Sequence, residues 1–420
     1  MKVLFLNQCF WPDVVATAQQ LTDVAVSLAE RGQDVTVIAS NRGYDNPEIH
    51  FPGHERWKGI TIRRIRTIAA EKKTRWRRAV NFGSFLVACA LRLLFTPRQD
   101  VVVVLTSPPL ISWLGSIFTR LKGGRLVFWV MDLNPDEAIA AGWLRSNSLT
   151  AKVLSALLKS SMQRSDTIIA LDRFVKDRIV SKGIAEEKVE IISPWSSDRV
   201  AGFDERGREA FRREYGLSEK FVVMYAGNHS PCHPLDTVLD VALVMRERRD
   251  IAFCFVGGGS EQRKVREFSR HNQLENILCL PYQPMSNLSA SLSAADMHVI
   301  VMGESFPGIV HPSKIYNILA IGIPFLYIGP PASHVTDIVG QLRDRNVAKV
   351  ARHGETARIT RYITEGAETY RRALPRNDAE LGCQFSKNSL LPRLIGLLEA
   401  TDKETEGLRT TVQAAKAHSA

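Results

Sequence analysis

The sequence lacks the cysteine patterns that mark secreted and zinc-binding proteins. Its six cysteines form no Cys-x-x-Cys pair, and several of them lie inside apolar stretches, as buried free thiols do. This usage indicates neither a disulfide framework nor a zinc site, and it favours a reducing cytosol. The apolar N-terminal run, residues 1–7, is soon broken by Pro12 and Asp13. We therefore expect it to form a buried strand and not a signal peptide.

Glycine-rich nucleotide motifs are also missing. Neither half of the chain has Gly-x-Gly-x-x-Gly after its first predicted strand, and the triplet Gly257–Gly259 alone is a weak signal. A two-domain dehydrogenase is therefore disfavoured. Acidic residues are fewer than basic ones, 44 against 55, which leaves a net charge of +11. That excess favours acidic partners such as nucleic acid, anionic lipid or phosphorylated substrates.

The composition is that of a folded soluble protein, with 45% hydrophobic and 24% charged residues. A chain of 420 residues is too long for one compact core and predicts two domains. We place the first domain at residues 1–198 and the second at residues 199–380. Residues 381–420 are expected to return toward the first domain and to end in a disordered tail.

Apolar strands and helices alternate along both halves of the chain. A strand at 3–7, a helix at about 17–31 and a strand at 35–39 make a βαβ unit. The alternating stretch 61–66 predicts an edge strand. After a polar connection from Ser193 to about Gly216, the alternation restarts at Phe221. We therefore predict an α/β protein with two Rossmann-like domains that face a cleft.

The loop from Gly303 to Lys314 follows a predicted strand, 297–302, and leads into a helix that opens near Ser313 and ends at Gly322. Such loops lie at the carboxyl ends of parallel strands, where open α/β sheets bind ligands. Free amides at the helix start attract phosphate, and Lys314 adds a cation. Glu304 is placed to accept hydrogen bonds from a polyhydroxylated group. The alternative is a surface loop whose charged side chains are merely solvated.

The stretch from Lys72 to Pro97 combines a basic cluster around Trp76 with an apolar run. Spanning a bilayer takes about 20 apolar residues, and Asn81 and Arg92 interrupt this run. Basic residues and tryptophan beside an apolar helix suit the surface of an anionic membrane. We expect the protein to lie peripherally on the cytoplasmic face of the cell membrane. The alternative is a buried helix with a solvated basic lead-in.

Four segments together resemble the family 4 glycosyltransferases: residues 7–18, 132–136, 225–236 and 303–324. The resemblance covers about residues 1–395 and is closest to exopolysaccharide and lipid-linked-oligosaccharide transferases of the colanic-acid type. It implies the two-domain GT-B fold and retention of anomeric configuration. The implied donor is a UDP- or GDP-sugar, with UDP favoured, and the implied acceptor is a lipid-linked molecule or a glycan. No cofactor and no metal are implied, since the spacing of residues 132–136 is not Asp-x-Asp.

The resemblance also implies roles for individual residues. The catalytic candidates are Glu304, Lys314 and Asp132. Donor contacts would come from Gly227, Asn228, His233, Gly258, Tyr282, Phe306, Pro307, Gly308, Ile309, Val310, Ser313 and Asn317. Acceptor contacts would come from Ala16, Thr17 and Asp136. For Asp136 the alternative is a helix N-terminus, where acidic residues favour the dipole for structural reasons. For Tyr282, expected at the nucleobase, the alternative is a simple turn.

The sequence departs from the family pattern at the charged positions. The second glutamate of the family's Glu-x7-Glu falls on Asn317, and the usual Arg and Lys fall on Asn228 and His233. We expect Lys314 to supply the missing positive charge, with Asn228 and His233 as neutral donors. These departures leave an inactive paralogue open.

Two further classes compete with a transferase. A sugar-nucleotide epimerase of GT-B shape needs the same donor loop, but it does not need the membrane-type stretch 72–95. A nucleic-acid-binding module fits the net charge. It lacks the interleaved aromatic platforms of single-strand binders, except around Trp76. We therefore expect no nucleic-acid partner.

Overall fold

A computed structural model describes residues 1–44, 48–67, 75–200, 202–370 and 379–400. The chain divides into two compact units, each with its own sheet. The first comprises Met1–Ser193 together with the chain from Leu390, and the second comprises Pro194–Ser389. The predicted disordered tail, residues 401–420, lies outside the described residues.

The first unit contains an eight-stranded sheet in the order β3-β4-β2-β1-β5-β6-β7-β8. Its strands are β1 Lys2–Leu6, β2 Asp34–Ser40, β3 His54–Trp57, β4 Ile60–Ile65, β5 Val101–Val104, β6 Arg125–Trp129, β7 Thr167–Ala170 and β8 Val189–Ile191. All neighbours pair in parallel except β3 and β4. Helices cover the central strands, so β5 is buried along its whole length and consists of four valines.

The helices of the first unit are α1 Ala16–Glu30, α2 Arg75–Leu94, α3 Ile111–Lys122, α4 Asp136–Ala140, α5 Leu149–Arg164 and α6 Arg173–Ser181. The prediction of an edge strand at 61–66 was partly wrong. That stretch forms β4, but β3 pairs with it on the outside and is the edge. The four residues of β3, His-Glu-Arg-Trp, are too polar and too few to show a strand pattern.

The second unit contains a six-stranded parallel sheet in the order β11-β10-β9-β12-β13-β14. Its strands are β9 Phe221–Asn228, β10 Ile251–Gly258, β11 Ile277–Leu280, β12 Met297–Val301, β13 Phe325–Ile328 and β14 Ala348–Ala351. Alternate residues of β9 enter two apolar clusters, Val223 and Tyr225 in one and Val222 and Met224 in the other. These clusters form the core on the two faces of the sheet.

The helices of the second unit are α7 Glu205–Glu214, α8 Asp236–Val244, α9 Ser260–His271, α10 Leu288–Ser293, α11 Lys314–Ile321, α12 His334–Gln341, α13 Thr356–Tyr370 and α14 Ala379–Gln384. Helix α7 lies in the stretch predicted to be a polar connection. Two of its arginines, Arg208 and Arg212, pair with Asp296. The last helix, α15 Lys387–Glu399, passes into the first unit, where Glu399 binds Arg31 at 2.7 Å.

The strand order of the second sheet reverses direction between β9 and β12. From β9 the chain adds β10 and β11 on one side, and from β12 it adds β13 and β14 on the other. The carboxyl ends of β9 and β12 therefore lie side by side, with the loops after them free to diverge. This is the topological position at which open α/β sheets bind ligands.

Candidate functional site

Glycines allow the ends of β9 and β10 to approach closely. Gly227 has a φ of +120° and Gly257 a φ of +136°, both in the region that favours glycine. A Cβ atom at Gly257 would overlap the carbonyl oxygen of Gly227. At Gly227 the position of a Cβ atom lies 3.7 Å from Nζ of Lys314. The sequence therefore keeps this edge of the sheet free of side chains, and a lysine fills the space beside it.

Lys314 is the first residue of α11, and its amine is buried. Its Nζ lies 3.4 Å from the centroid of the Tyr225 ring, a geometry in which the ring face attracts a cation. The amine has no hydrogen-bond partner in the described parts of the chain. Burial lowers the pKa of Lys314 well below its usual value, since the charged form loses its hydration.

Two histidines border the same lysine. The Nδ1 atom of His229 lies 2.9 Å from the carbonyl oxygen of Gly227, and Nδ1 of His233 lies 2.8 Å from that of Val301. Burial and, second, the charge of Lys314 lower the pKa of His229 to about 4 and that of His233 to about 3. Both rings are therefore neutral at pH 7. A carbonyl beside Nδ1 requires the proton there, so Nε2 carries a lone pair.

The loop before Lys314 satisfies most of its own amides. The amide of Phe306 donates to the carbonyl of Gly303 at 3.1 Å, and those of Ile309 and Val310 donate to the carbonyl of Phe306 at 3.0 and 3.3 Å. Pro307 has no amide hydrogen. The backbone donors expected from Phe306 to Val310 are thus reduced to Gly308, whose φ is +70°. The side chains of Phe306, Ile309 and Val310 are buried and contribute packing.

Other predicted donor residues lie at different places in the second unit. Glu304 is exposed, and its charge adds to burial in raising the pKa of Tyr327 at the end of β13. Ser313 is the N-cap residue of α11, without a side-chain capping bond. Asn317 accepts a hydrogen bond from the amide of Ser197 through Oδ1, at 2.9 Å. Its side-chain oxygen is therefore used to hold the start of the unit.

Tyr282 and Gly258 lie together at the end of β10. The Tyr282 ring packs so closely on Gly258 that a Cβ atom there would lie 2.8 Å from it, yet the residue is 50% exposed. Asn228 ends β9 and is exposed, and its carbonyl accepts the hydroxyl of Tyr225 at 2.9 Å. Tyr282 thus presents an exposed ring at the same edge of the sheet.

The predicted acceptor residues belong to the first unit. Burial and the charge of Glu137 raise the pKa of Asp132 to about 7. Asp136 is held by Lys182 at 2.7 Å and by Arg178 at 3.4 Å. Ala16 and Thr17 open α1, whose N-cap is Val15. The carboxylate of Asp136 therefore anchors α4 to α6, whereas that of Asp132 is set up to hold a proton near neutral pH.

Sequence reasoning gave no role to Tyr225 or His229. Both stand in the segment 225–236, but a linear pattern does not show that their rings lie 4.9 Å apart. The available signal was the placement of Tyr225 two residues before Gly227, near the end of the strand. A side chain in this position lies next to the group that packs against the glycine, which here is the amine of Lys314.

Helix α2 carries exposed apolar side chains. Val87 is 64% exposed, Leu91 57%, Leu94 62% and the following residue Phe95 83%. Lys122 closes the end of the helix by donating to the carbonyl oxygens of Leu93, Leu94 and Thr96. The basic cluster predicted from Lys72 to Arg78 lies outside the residues whose side chains are described. Within the described ranges, no helix is both long and apolar enough to cross a bilayer.

Known proteins share this architecture. The family model for a glycosyl transferase 4-like domain matches residues 16–195. WcaI of Escherichia coli (strain K12), named as a colanic acid biosynthesis glycosyl transferase, is 24% identical over 339 residues, which is 77% of this chain and 82% of WcaI. The structure of Anabaena HepE in complex with UDP-glucose has a TM-score of 0.64 at 14% identity, covering 99% of this chain and 100% of that chain.

WaaG, a glycosyltransferase involved in lipopolysaccharide biosynthesis, has a TM-score of 0.67 at 15% identity, covering 95% of this chain and 100% of that chain. Two largely parallel sheets and these structural likenesses define the GT-B fold. The matched domain and the curated relatives give the narrower assignment. The chain is a glycosyltransferase, and its residues 16–195 are similar to the glycosyl transferase 4-like domain.

Proposed function

We propose that this protein transfers a glycosyl group from a nucleotide sugar, with a UDP-sugar as the first choice, to a lipid-linked or saccharide acceptor. The transfer retains anomeric configuration and serves bacterial surface-polysaccharide assembly. The name of WcaI supports the pathway class, and the UDP-glucose complex of HepE supports the donor class. The observation that carries the proposal is the buried amine of Lys314 at the switch point of the second sheet, which has no hydrogen-bond partner among the residues that the structure describes.

The donor diphosphate is the group that this site fits. A departing diphosphate gathers negative charge, and preorganised cations and donors stabilise it. The amine of Lys314 is placed to provide the cation, and the amide of Gly308 a donor. The N-terminus of α11, which begins at Lys314, adds its dipole. These groups do the work of a metal ion, so the reaction requires none.

Neighbouring residues bind the sugar and the base of the donor. Glu304 is exposed and orients sugar hydroxyls, and the exposed ring of Tyr282 supports the nucleobase. Gly258 and Asn228 border the diphosphate, and Ser313 provides a hydroxyl at the helix start. The first unit holds the acceptor, where Asp132 acts as the base because its pKa of about 7 matches the working pH.

The protein works on the cytoplasmic face of the cell membrane. The exposed apolar face of α2, including Val87, Leu91 and Leu94, is continued by Phe95. An amphipathic helix of this kind inserts its apolar side at the headgroup boundary, and basic residues strengthen the attraction to anionic lipid. The sequence places such residues from Lys72 to Arg78, at the start of this helix and just before it in the chain. Together they would bring the enzyme to lipid-linked acceptors.

Transfer assays with a panel of UDP- and GDP-sugars and membrane extract as acceptor test the proposal. We expect one donor to be used, and Lys314→Ala to lower kcat/KM about 100-fold or more, the scale of a lost transition-state donor. Lys349→Ala is the matched control. Lys349 also lies over a tyrosine ring, 5.8 Å from that of Tyr362, but on β14. Equal activity of both variants, or epimerisation without transfer, contradicts the proposal.

A further inference from the structure

Among the described residues, the pocket around Lys314 offers this lysine no counter-charge. The amine makes no hydrogen bond and no ion pair there, and it lies over the face of Tyr225. The titratable groups that face it are Tyr225, His229 and His233, from β9 and the turn after it, and His298 of β12. None of these groups is an acid that ionises at neutral pH. A charged amine in this position is therefore unsupported by its surroundings.

The histidines do not make the pocket cationic. His229 and His233 each direct Nδ1–H at a backbone carbonyl, so in the neutral ring Nε2 is an acceptor. Nε2 of His229 is buried and has no partner within the described structure. His298 directs its own Nε2 at the carbonyl of Leu292, at 3.0 Å. A neutral imidazole in this tautomer has no hydrogen to offer a phosphate oxygen.

The surroundings of Lys314 are therefore rich in nitrogen atoms and poor in charge. We propose that this site binds a diphosphate together with one proton, and that Lys314 receives the proton. The proposal rests on the proposed donor and adds the charge state of the site. The amine lone pair takes a proton from solvent, no covalent bond to the ligand forms, and the proton returns to solvent when the diphosphate leaves.

Lys314 takes up the proton because ligand binding changes the electrostatic environment of its amine. Without ligand, burial favours the neutral amine and lowers the pKa of Lys314. With ligand, two phosphate charges next to the amine favour the ammonium and raise that pKa again. Between the two pKa values, each bound ligand brings a proton, and the affinity falls about tenfold for each pH unit of increase.

Calorimetric titration of UDP-glucose into the full-length protein, in buffers of different ionisation enthalpy, counts the protons taken up. UDP-glucose suits the test because both of its phosphate groups are esterified and keep a fixed charge from neutral to alkaline pH. We expect about one proton per ligand and a pH-dependent Kd. Lys314→Arg has a permanent charge and is expected to bind with no uptake and a flat pH profile. Lys349→Arg should behave as the unmodified protein.

The histidines are tested in the same way. His229→Asn and His233→Asn should keep about one proton taken up per bound ligand. A variant that binds UDP-glucose without uptake, with Lys314 intact, contradicts the assignment to lysine. A readout without ligand is the titration of lysine 13Cε resonances, with Lys314 assigned by its absence in Lys314→Arg. We expect its midpoint well below that of the other lysines.

The outcomes separate the inference from the function. Binding without proton uptake overturns the inference and leaves the proposed donor intact. Failure of every nucleotide sugar to bind overturns the proposed function. In that case the resonance titration still decides the charge state of Lys314, and a midpoint among those of the surface lysines overturns the inference.

Discussion

The amine of Lys314 lies 3.4 Å from the centre of the Tyr225 ring and has no hydrogen-bond acceptor in the described chain. A buried polar group without a partner is a cost to folding. Proteins retain such a group where a ligand supplies the missing partner. Groups of this kind are a recurring cause of trade-off between stability and activity. The same atom is therefore expected to weaken the free protein and to hold the bound donor.

Replacing the amine by an apolar group of similar length should stabilise the protein. We expect Lys314→Met to raise the free energy of unfolding by about 1–3 kcal/mol at pH 7 and to abolish transfer. Because the folded-state pKa is lowered, the unfolded chain binds more protons below pH about 10. The pH-dependent part of the gain should therefore be largest at low pH and vanish above that value, where only the cost of the unpartnered neutral amine remains. Urea unfolding at several pH values measures it.

The control for this gain is Lys349→Met, which changes a lysine of β14 outside the pocket. Surface substitutions of this kind usually change stability by no more than about 0.5 kcal/mol. If Lys314→Met is less stable than the unmodified protein, the amine has a partner in solution. The proposal that it is an unpaired group available to bind an anion is then wrong.

Asn317 should matter for stability more than for donor binding. Its Oδ1 accepts the amide of Ser197, and Asn317→Ala leaves that amide without this partner, at a cost of about 1–2 kcal/mol. Asn228→Ala is the matched comparison, because Asn228 is exposed at the end of β9. We expect only Asn228→Ala to raise the donor KM. A raised KM in Asn317→Ala with unchanged unfolding would restore its predicted donor role.

Asn317 and its surroundings show which structural features can be predicted from sequence patterns and which cannot. The strand before the loop, the helix after it and its end at Gly322, with φ +75°, follow from apolar runs and from the conformation that only glycine adopts easily. The partner of Asn317 does not follow, because Ser197 is 120 positions away in the chain. Periodicity tells which face of α11 is buried, and it carries no information on what that face meets.

The charge states of the site residues could not be predicted from the sequence either. A lysine and two histidines in neighbouring motifs look cationic. Burial and the carbonyls at Nδ1 show that His229 and His233 are neutral at pH 7, and burial lowers the pKa of Lys314. The polar elements β3 and α7 were not predicted from the sequence, for another reason. Pairing with β4 holds β3, and ion pairs with Asp296 hold α7, so neither needs an apolar pattern of its own.

Asp132 should give the enzyme its acidic limb. With a folded pKa of about 7, against 3.8 for the ordinary side chain, activity should fall as pH drops below 7 because the base becomes protonated. Asp132→Asn is expected to lower kcat by about 100- to 10,000-fold and to remove that limb. Asp136→Asn is the control, and it should lose stability through its ion pairs with Lys182 and Arg178 while keeping the pH profile.

The same shift has a consequence for folding. A raised carboxyl pKa means that the folded protein binds more protons than the unfolded chain between pH about 4 and 7, so the free energy of unfolding falls as pH rises through this window. Asp132→Asn should flatten that part of the stability profile and be the more stable protein at pH 8. An unchanged slope between pH 4 and 7 would show that Asp132 ionises normally.

The exposed face of α2 should decide membrane binding. Leu91, Leu94 and Phe95 are more than half exposed, and burying each in a bilayer surface contributes about 1.5–3 kcal/mol. Replacing all three by serine should weaken partitioning onto anionic vesicles at least about 100-fold, measured by co-sedimentation. Transfer to a water-soluble acceptor should persist, because none of these three residues is among those proposed to bind donor or acceptor. Transfer to a lipid-linked acceptor should fall.

The matched control is Val244→Ser, since Val244 is 63% exposed but belongs to α8 of the second unit. It should bind vesicles as the unmodified protein does. Binding should also weaken with added salt and on omission of anionic lipid, because the basic residues from Lys72 to Arg78 act through long-range charge. Equal sedimentation of the triple variant and the control would show that α2 does not meet lipid. Its apolar face would then have to be covered by a protein partner, and lipid-linked transfer would not depend on it.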